Sequence, residues 1–211
     1  MELPLPAETV VSGIDGVLVS HLHPEHFDAR ARELIARDTP LLHQPADGEQ
    51  LGEEGFTGLT GPAEDETVSW LGVDVTRVGG EHGFRVIAKA AGPVSGFVLS
   101  AEGEPTVYIA GDTVWWEHVE TTLRRHSPDA IAVNAGDART ANQDRIIMDA
   151  DDVECVLEAA PDSIVVAIHL EAISHCVLGR SELKQRLEPR YGSRLAVPDD
   201  GETLAVSAVP G

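Results

Sequence analysis

Three histidines and a carboxylate occupy six consecutive residues, directly after a short apolar run. The run 16–20 (GVLVS) has the composition of a buried strand, and His21, His23, Glu25 and His26 follow it. Neutral imidazole nitrogens and carboxylate oxygens are ligands that divalent ions such as zinc accept. A histidine-rich surface loop is the alternative, but only 9 of the 211 residues are histidine and three of them fall in this window. The end of this strand is therefore predicted to bind a metal.

The segment 21–28 (HLHPEHFD) resembles the HxHxDH signature of the metallo-β-lactamase superfamily, and residues 15–20 fit the strand that precedes it. Within the superfamily, the chain is most similar to the L-ascorbate-6-phosphate lactonase-like branch. It departs from the signature at one ligand position, since Glu25 stands where the family has Asp. The resemblance implies an α/β (α+β) fold, the αββα metallo-β-lactamase sandwich, with a metal site at the strand ends along one edge.

The resemblance also implies a dinuclear site. Two divalent metal ions are expected as cofactors, with zinc first and manganese or iron as alternatives. The two-metal pattern assigns seven ligands, namely His21, His23 and His82 for one ion, Glu25, His26 and His169 for the other, and Asp112 between them. Glutamate is one methylene longer than aspartate, which displaces its oxygen by about 1.5 Å unless the loop adjusts. Because metal–ligand distances tolerate only about 0.2 Å, the second ion is expected to bind more weakly, in a shifted position, or with another metal preference.

Three of these ligands lie far from the histidine segment in sequence. Asp112 follows an apolar predicted strand in a Gly-Asp-Thr turn, where the glycine permits close approach. His82 lies in a glycine-rich loop, and His169 ends another buried apolar strand. His43 and His175 are the rivals for these two places, although His43 also fits a packing or capping role and His175 a substrate-facing one.

Hydrolysis is the chemistry that such a site implies. A metal-bound hydroxide would attack a carbonyl carbon or a phosphorus, with Glu25 or Asp112 orienting the water. The chain has no Gly-x-Ser-x-Gly nucleophile turn, P-loop or dinucleotide-binding glycine motif. The expected substrate is a small ester, lactone or phosphodiester. The alternative is a metallo-β-lactamase fold that has lost catalysis and serves as a binding module, which the Glu25 departure and the short N-terminal segment favour.

The charge balance argues against a nucleic-acid partner. With 36 acidic and 15 basic residues, the formal net charge is −21, which repels polyanions and anionic membranes. The sequence shows no secretory signal and no apolar run of membrane length. Cys155 and Cys176 are too few for a disulfide framework. We therefore expect a cytoplasmic protein that acts on a small molecule.

Four further side chains lie near the predicted site in sequence. Trp115 and Trp116 follow the Gly-Asp-Thr turn, and they either line the pocket or pack in the core. Arg139 and Arg145 lie in the long loop 135–149 and could meet an anionic substrate. The sequence alone leaves both interpretations open.

Hydrophobic periodicity and turn residues predict a layered chain that forms one domain over residues 1–211. The predicted strands are 14–20, 40–43, 67–70, 73–78, 96–100, 106–110, 130–134, 163–168, 195–198 and 202–206. The predicted helices are 28–37 with Asp28 as N-cap, 115–126, 150–159, and 181–187 with Ser181 as N-cap. Only about a dozen residues precede the first strand, where family members place several strands. Either the first sheet lacks N-terminal strands or the chain is a truncated form, and a partner subunit, such as a second copy of the chain, could cover the exposed edge.

Overall fold

The computed structural model describes residues 5–171 and 173–206 of the chain. These residues form ten strands in two sheets, and α-helices pack on the outer face of each sheet. Within the described part, no helix is long and apolar enough to cross a membrane.

The first sheet is small and entirely parallel. Its strands are, in spatial order, β1 (Val17–Val19), β2 (Leu41–His43) and β3 (Leu59–Thr60). Three short helices belong to this half of the chain, namely α1 (Ala7–Val10), α2 (Ala29–Leu34) and α3 (Gly48–Glu53). Helix α2 begins where the sequence predicts, because the Asp28 carboxylate accepts a hydrogen bond from the Ala31 amide. Strand β1 is an edge strand of this sheet among the described residues.

The second sheet is larger and mixed. Its seven strands are β4 (Thr67–Trp70), β5 (Val73–Gly79), β6 (Ser95–Ser100), β7 (Val107–Ile109), β8 (Ala130–Asn134), β9 (Ile164–Ile168) and β10 (Leu195–Ala196). They lie in the order β10-β9-β8-β7-β6-β5-β4. The pairs from β4 to β7 are antiparallel, and those from β7 to β10 are parallel. The helices of this half are α4 (Val86–Ala91), α5 (Glu117–His126), α6 (Ala150–Ala159) and α7 (Arg180–Tyr191).

The two sheets pack face to face, with helices outside them. Leu18 and Leu42 of the small sheet meet Val75 and Phe97 of the large sheet in one apolar cluster. The other face of the small sheet packs against α2 and α3, and the other face of the large sheet packs against α5, α6 and α7. Successive strand residues point to opposite faces of a sheet. Each sheet therefore contributes side chains both to the cluster between the sheets and to the cluster under its own helices. The layers are those of the predicted αββα sandwich.

Strand direction brings the functional loops to one edge. Strand β5 is antiparallel to β6, and β6 is antiparallel to β7, so β5 runs in the same direction as β7, β8 and β9. The carboxyl ends of these four strands therefore lie on the same side of the large sheet. The end of β1 joins them, since the Ser95 amide at the start of β6 donates to the Ser20 carbonyl oxygen at 3.1 Å.

Four local features differ from the sequence predictions. Residues 202–206 form no strand, and β10 stops at Ala196, so the chain adds only a two-residue strand at that edge. Helix α7 begins after Gly179 rather than after Ser181, and it continues through Pro189 to Tyr191. Helix α4 has no counterpart among the predicted helices. It has only six residues and no buried side chain, so its sequence shows no helical alternation of apolar and polar positions.

Candidate metal centre

Three histidine rings gather at the turn that follows β1. The amides of His26 and Phe27 both donate to the His23 carbonyl oxygen, at 3.0 and 3.1 Å, and close a tight turn. Phe27 is only 2% exposed and packs in the outer core of the small sheet, which anchors the turn. The ring centroid of His21 consequently lies 4.4 Å from that of His23 and 4.3 Å from that of His26.

Asp112 lies against these rings from the end of β7. Its Oδ2 atom is 3.1 Å from His26 Nε2 and 3.8 Å from His21 Nε2. Gly111 makes this approach possible, because its φ of +69° lies in the left-handed region and a Cβ there would stand 2.8 Å from the Ser95 carbonyl oxygen. The Gly-Asp-Thr turn thus delivers a buried carboxylate to the histidine cluster, with Asp112 itself 2% exposed.

His82 completes the opposite wall from the loop after β5. Its Nε2 atom is 3.7 Å from Asp112 Oδ2, and its ring centroid is 5.2 Å from that of His23. Its Nδ1 atom is 2.8 Å from the Ile146 carbonyl oxygen. A carbonyl oxygen can only accept, so Nδ1 carries the proton and Nε2 presents its lone pair to the cluster.

His169 approaches from the end of β9. Its ring stacks on that of His26, with centroids 5.2 Å apart and planes 14° apart. Its φ of +58° is uncommon for a residue with a side chain. On its far side, the Cys176 thiol lies 3.7 Å from His169 Nδ1, and burial raises the pKa of that thiol to about 11. The thiol is therefore protonated at neutral pH.

The protonation states of the buried histidines and of Asp112 favour the binding of a cation. Burial, together with the neighbouring His26, lowers the pKa of His21 to about 3. Burial also lowers the pKa of His82 and of His169. Burial alone would raise the pKa of Asp112, but the hydrogen bond and charge of His26 and the charge of His169 lower it well below the usual range. His21, His82 and His169 are thus neutral and Asp112 is ionised at neutral pH, which are the forms in which these groups bind metals.

Two groups of side chains could each hold an ion. His21, His23 and His82 form one group, and His21, His26 and Asp112 form the other, with the ligand atoms of each within 4.8 Å of one another. His21 Nε2 is buried and has no hydrogen-bond partner within the described part of the chain. A buried nitrogen without a partner costs free energy, which metal coordination would remove. The donor set therefore fits a divalent cation.

Glu25 is the one exposed side chain among the seven predicted ligands. Like His169, it belongs to neither group of candidate ligands among the described residues. Its charge still reaches the site, because it acts to raise the pKa of His169. Its assignment as a ligand and as a catalytic group stays a prediction.

Asn134 contacts the candidate metal centre although no sequence pattern predicted it there. It ends β8, is 6% exposed, and donates its Nδ2 hydrogen to Asp112 Oδ1 at 2.5 Å. Its position directly after the buried strand 130–134 is the signal that could have identified it, because Asp112 and His169 also follow strands of this sheet.

The remaining histidines lie outside the cluster. His43 is 4% exposed and its Nδ1 lies 2.7 Å from the Gln44 carbonyl oxygen, which agrees with a packing and loop role. His118 has a side chain 43% exposed and lies 3.7 Å from Glu64. His175, the rival of His169, is half-buried and belongs to neither ligand group of the described residues.

The tryptophans and loop arginines have separate roles. Trp115 packs against the main core, whereas Trp116 is 48% exposed and meets the Phe84 ring edge-on at 5.9 Å.

Arg139 is paired with Asp137 at 2.6 Å, and Arg145 with Asp152 at 3.2 Å and with Asp149. Both loop arginines are thus already neutralised by neighbouring carboxylates.

The sequence matches a known family over most of its length. A family model described as the beta-lactamase superfamily domain matches residues 2–170. The chain belongs to the metallo-β-lactamase superfamily. The chain is 32% identical to the UPF0173 protein YddR of Bacillus subtilis (strain 168). The match covers 96% of this chain and 80% of that relative.

Two solved structures resemble this superfamily member closely. The isothiocyanate hydrolase from Delia radicum gut bacteria has a TM-score of 0.89 and 30% identity, over 98% of this chain and 81% of that one. A possible metal-dependent hydrolase from Veillonella parvula DSM 2008 also has a TM-score of 0.89, with 32% identity over 95% of this chain and 79% of that one. These relatives support a metal-dependent hydrolase of the metallo-β-lactamase fold. None of them supports the lactonase-like branch in particular.

Proposed function

We propose that this protein hydrolyses a small organic electrophile with two divalent metal ions. The observation that carries the proposal is the position of Asp112 Oδ2, which faces the Nε2 atoms of His21, His26 and His82 at 3.1 to 3.8 Å. In the proposed site, His21, His23 and His82 would hold one ion. His26 and His169 would hold the second, with Asp112 between the two, and Glu25 would complete the second site only if its turn moved inward.

The ions would polarise the electrophile and lower the pKa of a water molecule towards neutrality. The protein supplies fixed positions for the groups around them. The Ile146 carbonyl oxygen orients His82, and Asn134 orients Asp112, so neither ligand has to reorganise during the reaction. Glu25 or Asp112 would orient the attacking water.

The substrate is proposed to be small because the site lies between loops at a sheet edge. Phe84 and Trp116 form an aromatic pair near His82, which supplies apolar surface for an organic group. An ester, a lactone or a phosphodiester fits the chemistry, and the isothiocyanate hydrolase adds a second kind of electrophilic carbon. In an ester, water adds to the carbonyl carbon and the C–O bond to the leaving alcohol breaks. In an isothiocyanate, water adds to the central carbon and the C–N bond breaks, which releases an amine and carbonyl sulfide.

Metal analysis and turnover together test the proposal. Protein purified with zinc or manganese is expected to contain close to two ions per chain and to hydrolyse phenyl acetate, phenyl isothiocyanate or bis(4-nitrophenyl) phosphate. His21→Ala should lower turnover by at least about 100-fold, because an ion is lost. The matched control is His118→Ala, since the His118 side chain is 43% exposed and belongs to neither ligand group among the described residues. Metal-free wild-type protein after loading, or full turnover in His21→Ala, would reject the proposal.

A second candidate function is a binding module that has lost catalysis. The observation that favours it is Glu25, which differs from the family signature and lies outside both ligand groups of the described residues. Glu25→Asp separates the two functions. A strong rise from near-zero turnover would identify a degenerate enzyme, whereas a small change in an already active protein would support the hydrolase.

A further inference from the structure

A groove runs beside the metal centre and shares one of its ligands. It encloses about 430 Å³ between the loop after β5 and helix α4, and His82 lines it. Arg85 and Lys89 line it as well. A volume of this size accommodates a small molecule, and a molecule bound there would lie beside the loop that carries His82.

The two cations in this groove are unusual among the basic residues. Ten of the fifteen Arg and Lys side chains lie within 4.0 Å of a carboxylate in the described structure. Two more, Arg37 and Arg194, donate to backbone carbonyl oxygens instead. Arg85, Lys89 and Lys184 have neither kind of partner among the described residues. Two of these three uncompensated charges therefore line one groove.

The two charges lie on one short segment. Arg85 directly precedes α4 and Lys89 lies in its last turn, and both residues line the groove. Glu81 also lines the groove and offsets one of the two positive charges. The groove nevertheless has an excess of positive charge on a chain whose formal net charge is −21. A cleft of one sign on a surface of the other concentrates ligands of opposite charge to the cleft.

We propose that this groove binds a negatively charged group of the substrate. The substrate class is then a small electrophile that carries a carboxylate or another oxyanion, with its scissile group at the metal centre and its anion against Arg85 and Lys89. This inference rests on the proposed function for the identity of the bound molecule. The cations suggested by sequence position, Arg139 and Arg145, are neutralised by their own acidic neighbours and do not serve this purpose.

Matched pairs of substrates test the groove. Phenyl acetate and 4-acetoxybenzoate differ by one carboxylate, as do phenyl isothiocyanate and 4-carboxyphenyl isothiocyanate. For the zinc-loaded wild-type protein, kcat/KM should be higher for the carboxylated member of the pair. The double variant Arg85→Gln and Lys89→Gln should lose roughly three- to twentyfold of that preference, measured as the ratio of kcat/KM for the two members of each pair. Lys184→Gln is the control, because that lysine is also uncompensated but lies on α7.

A binding measurement separates this inference from the proposed function. Isothermal titration of 4-hydroxybenzoate, a non-hydrolysable anion, should show binding that the double variant weakens and Lys184→Gln preserves. That result stands even if no substrate is turned over, in which case the hydrolase proposal fails and the anion groove remains. The proposal that the groove binds an anion would be wrong if the double variant lost kcat/KM equally for neutral and carboxylated substrates. It would also be wrong if wild type and double variant bound 4-hydroxybenzoate equally.

Discussion

Asn134 Nδ2 donates a hydrogen bond to Asp112 Oδ1 over 2.5 Å, in a buried part of the site. This bond occupies one carboxylate oxygen and leaves Oδ2 facing the nitrogens of His21, His26 and His82. An amide cannot ionise, so Asn134 holds the carboxylate without adding charge beside it. The pair therefore sets the direction in which Asp112 can bind a cation.

Removing this amide should weaken the metal site while the fold remains. Asn134→Ala is expected to lower zinc affinity roughly 10- to 100-fold, the usual effect of losing a group that orients a metal ligand. Competition with a chromophoric chelator measures this directly, and circular dichroism checks the fold. The exposed Asn142→Ala serves as the matched control. Wild-type affinity in Asn134→Ala would show that Asp112 needs no such support.

Much of the layered fold was predictable because its signals are local. Strand β8 and helix α6 lie where the sequence predicts, since each combines an apolar period with clear end signals, including the Asp149 side chain that accepts from the Asp152 amide. Helix α4 was missed because its side chains face solvent or half-buried surroundings. Residues 202–206 alternate like a strand, but no ladder partner is available to them in the described structure.

The candidate metal centre also contains side chains that the sequence predicts and supporting groups that it does not. The histidines and Asp112 were predictable because their side chains are rare and follow strands. The groups that orient them were not, because the partner of Asp112 is 22 residues away and the partner of His82 is a backbone carbonyl 64 residues away. A carbonyl oxygen exists at every residue, so no sequence pattern marks that of Ile146.

A single methyl group at Gly136 should disturb His169. A Cβ there would overlap the His169 carbonyl oxygen and stand 2.6 Å from Cys176 Sγ. Gly136→Ala is expected to destabilise the protein by about 1–3 kcal/mol and to lower kcat/KM at least about tenfold, because His169 moves relative to His26. Gly52→Ala is the control, since a Cβ there is 3.9 Å from its nearest neighbour. Unchanged kinetics in Gly136→Ala would separate His169 from the reaction.

Metal should stabilise the folded protein. A ligand that binds only the native state at 100 times its Kd adds about 2.7 kcal/mol. For a chain of this length, that corresponds to a rise in Tm of roughly 5–10 °C. Chelator-treated protein should therefore melt lower than zinc-loaded protein by this amount, as scanning calorimetry can measure. His21→Ala should show little response to zinc, and a full response in that variant would place the ion elsewhere.

Asp152 should make stability depend on pH in mildly acidic solution. Its side chain is 9% exposed, and burial raises its pKa to about 6, despite the Trp115 amide and Arg145 beside it. Between pH 4 and 6 the native state therefore holds a proton that the unfolded state has lost. Stability from this group is complete below pH 4 and declines as pH rises through 6, by roughly 1–3 kcal/mol.

Replacing the carboxyl group isolates this effect. Asp152→Asn cannot ionise, and Arg145 keeps Asp149 as its partner, so the variant should gain stability relative to wild type as pH rises from 4 to 7. Urea unfolding at a series of pH values measures the difference. Asp151→Asn controls for loss of charge at the same helix end, because its side chain is 70% exposed and should show a nearly constant difference. A constant difference for Asp152→Asn as well would mean that Arg145 and the Trp115 amide fully offset the burial of the carboxylate.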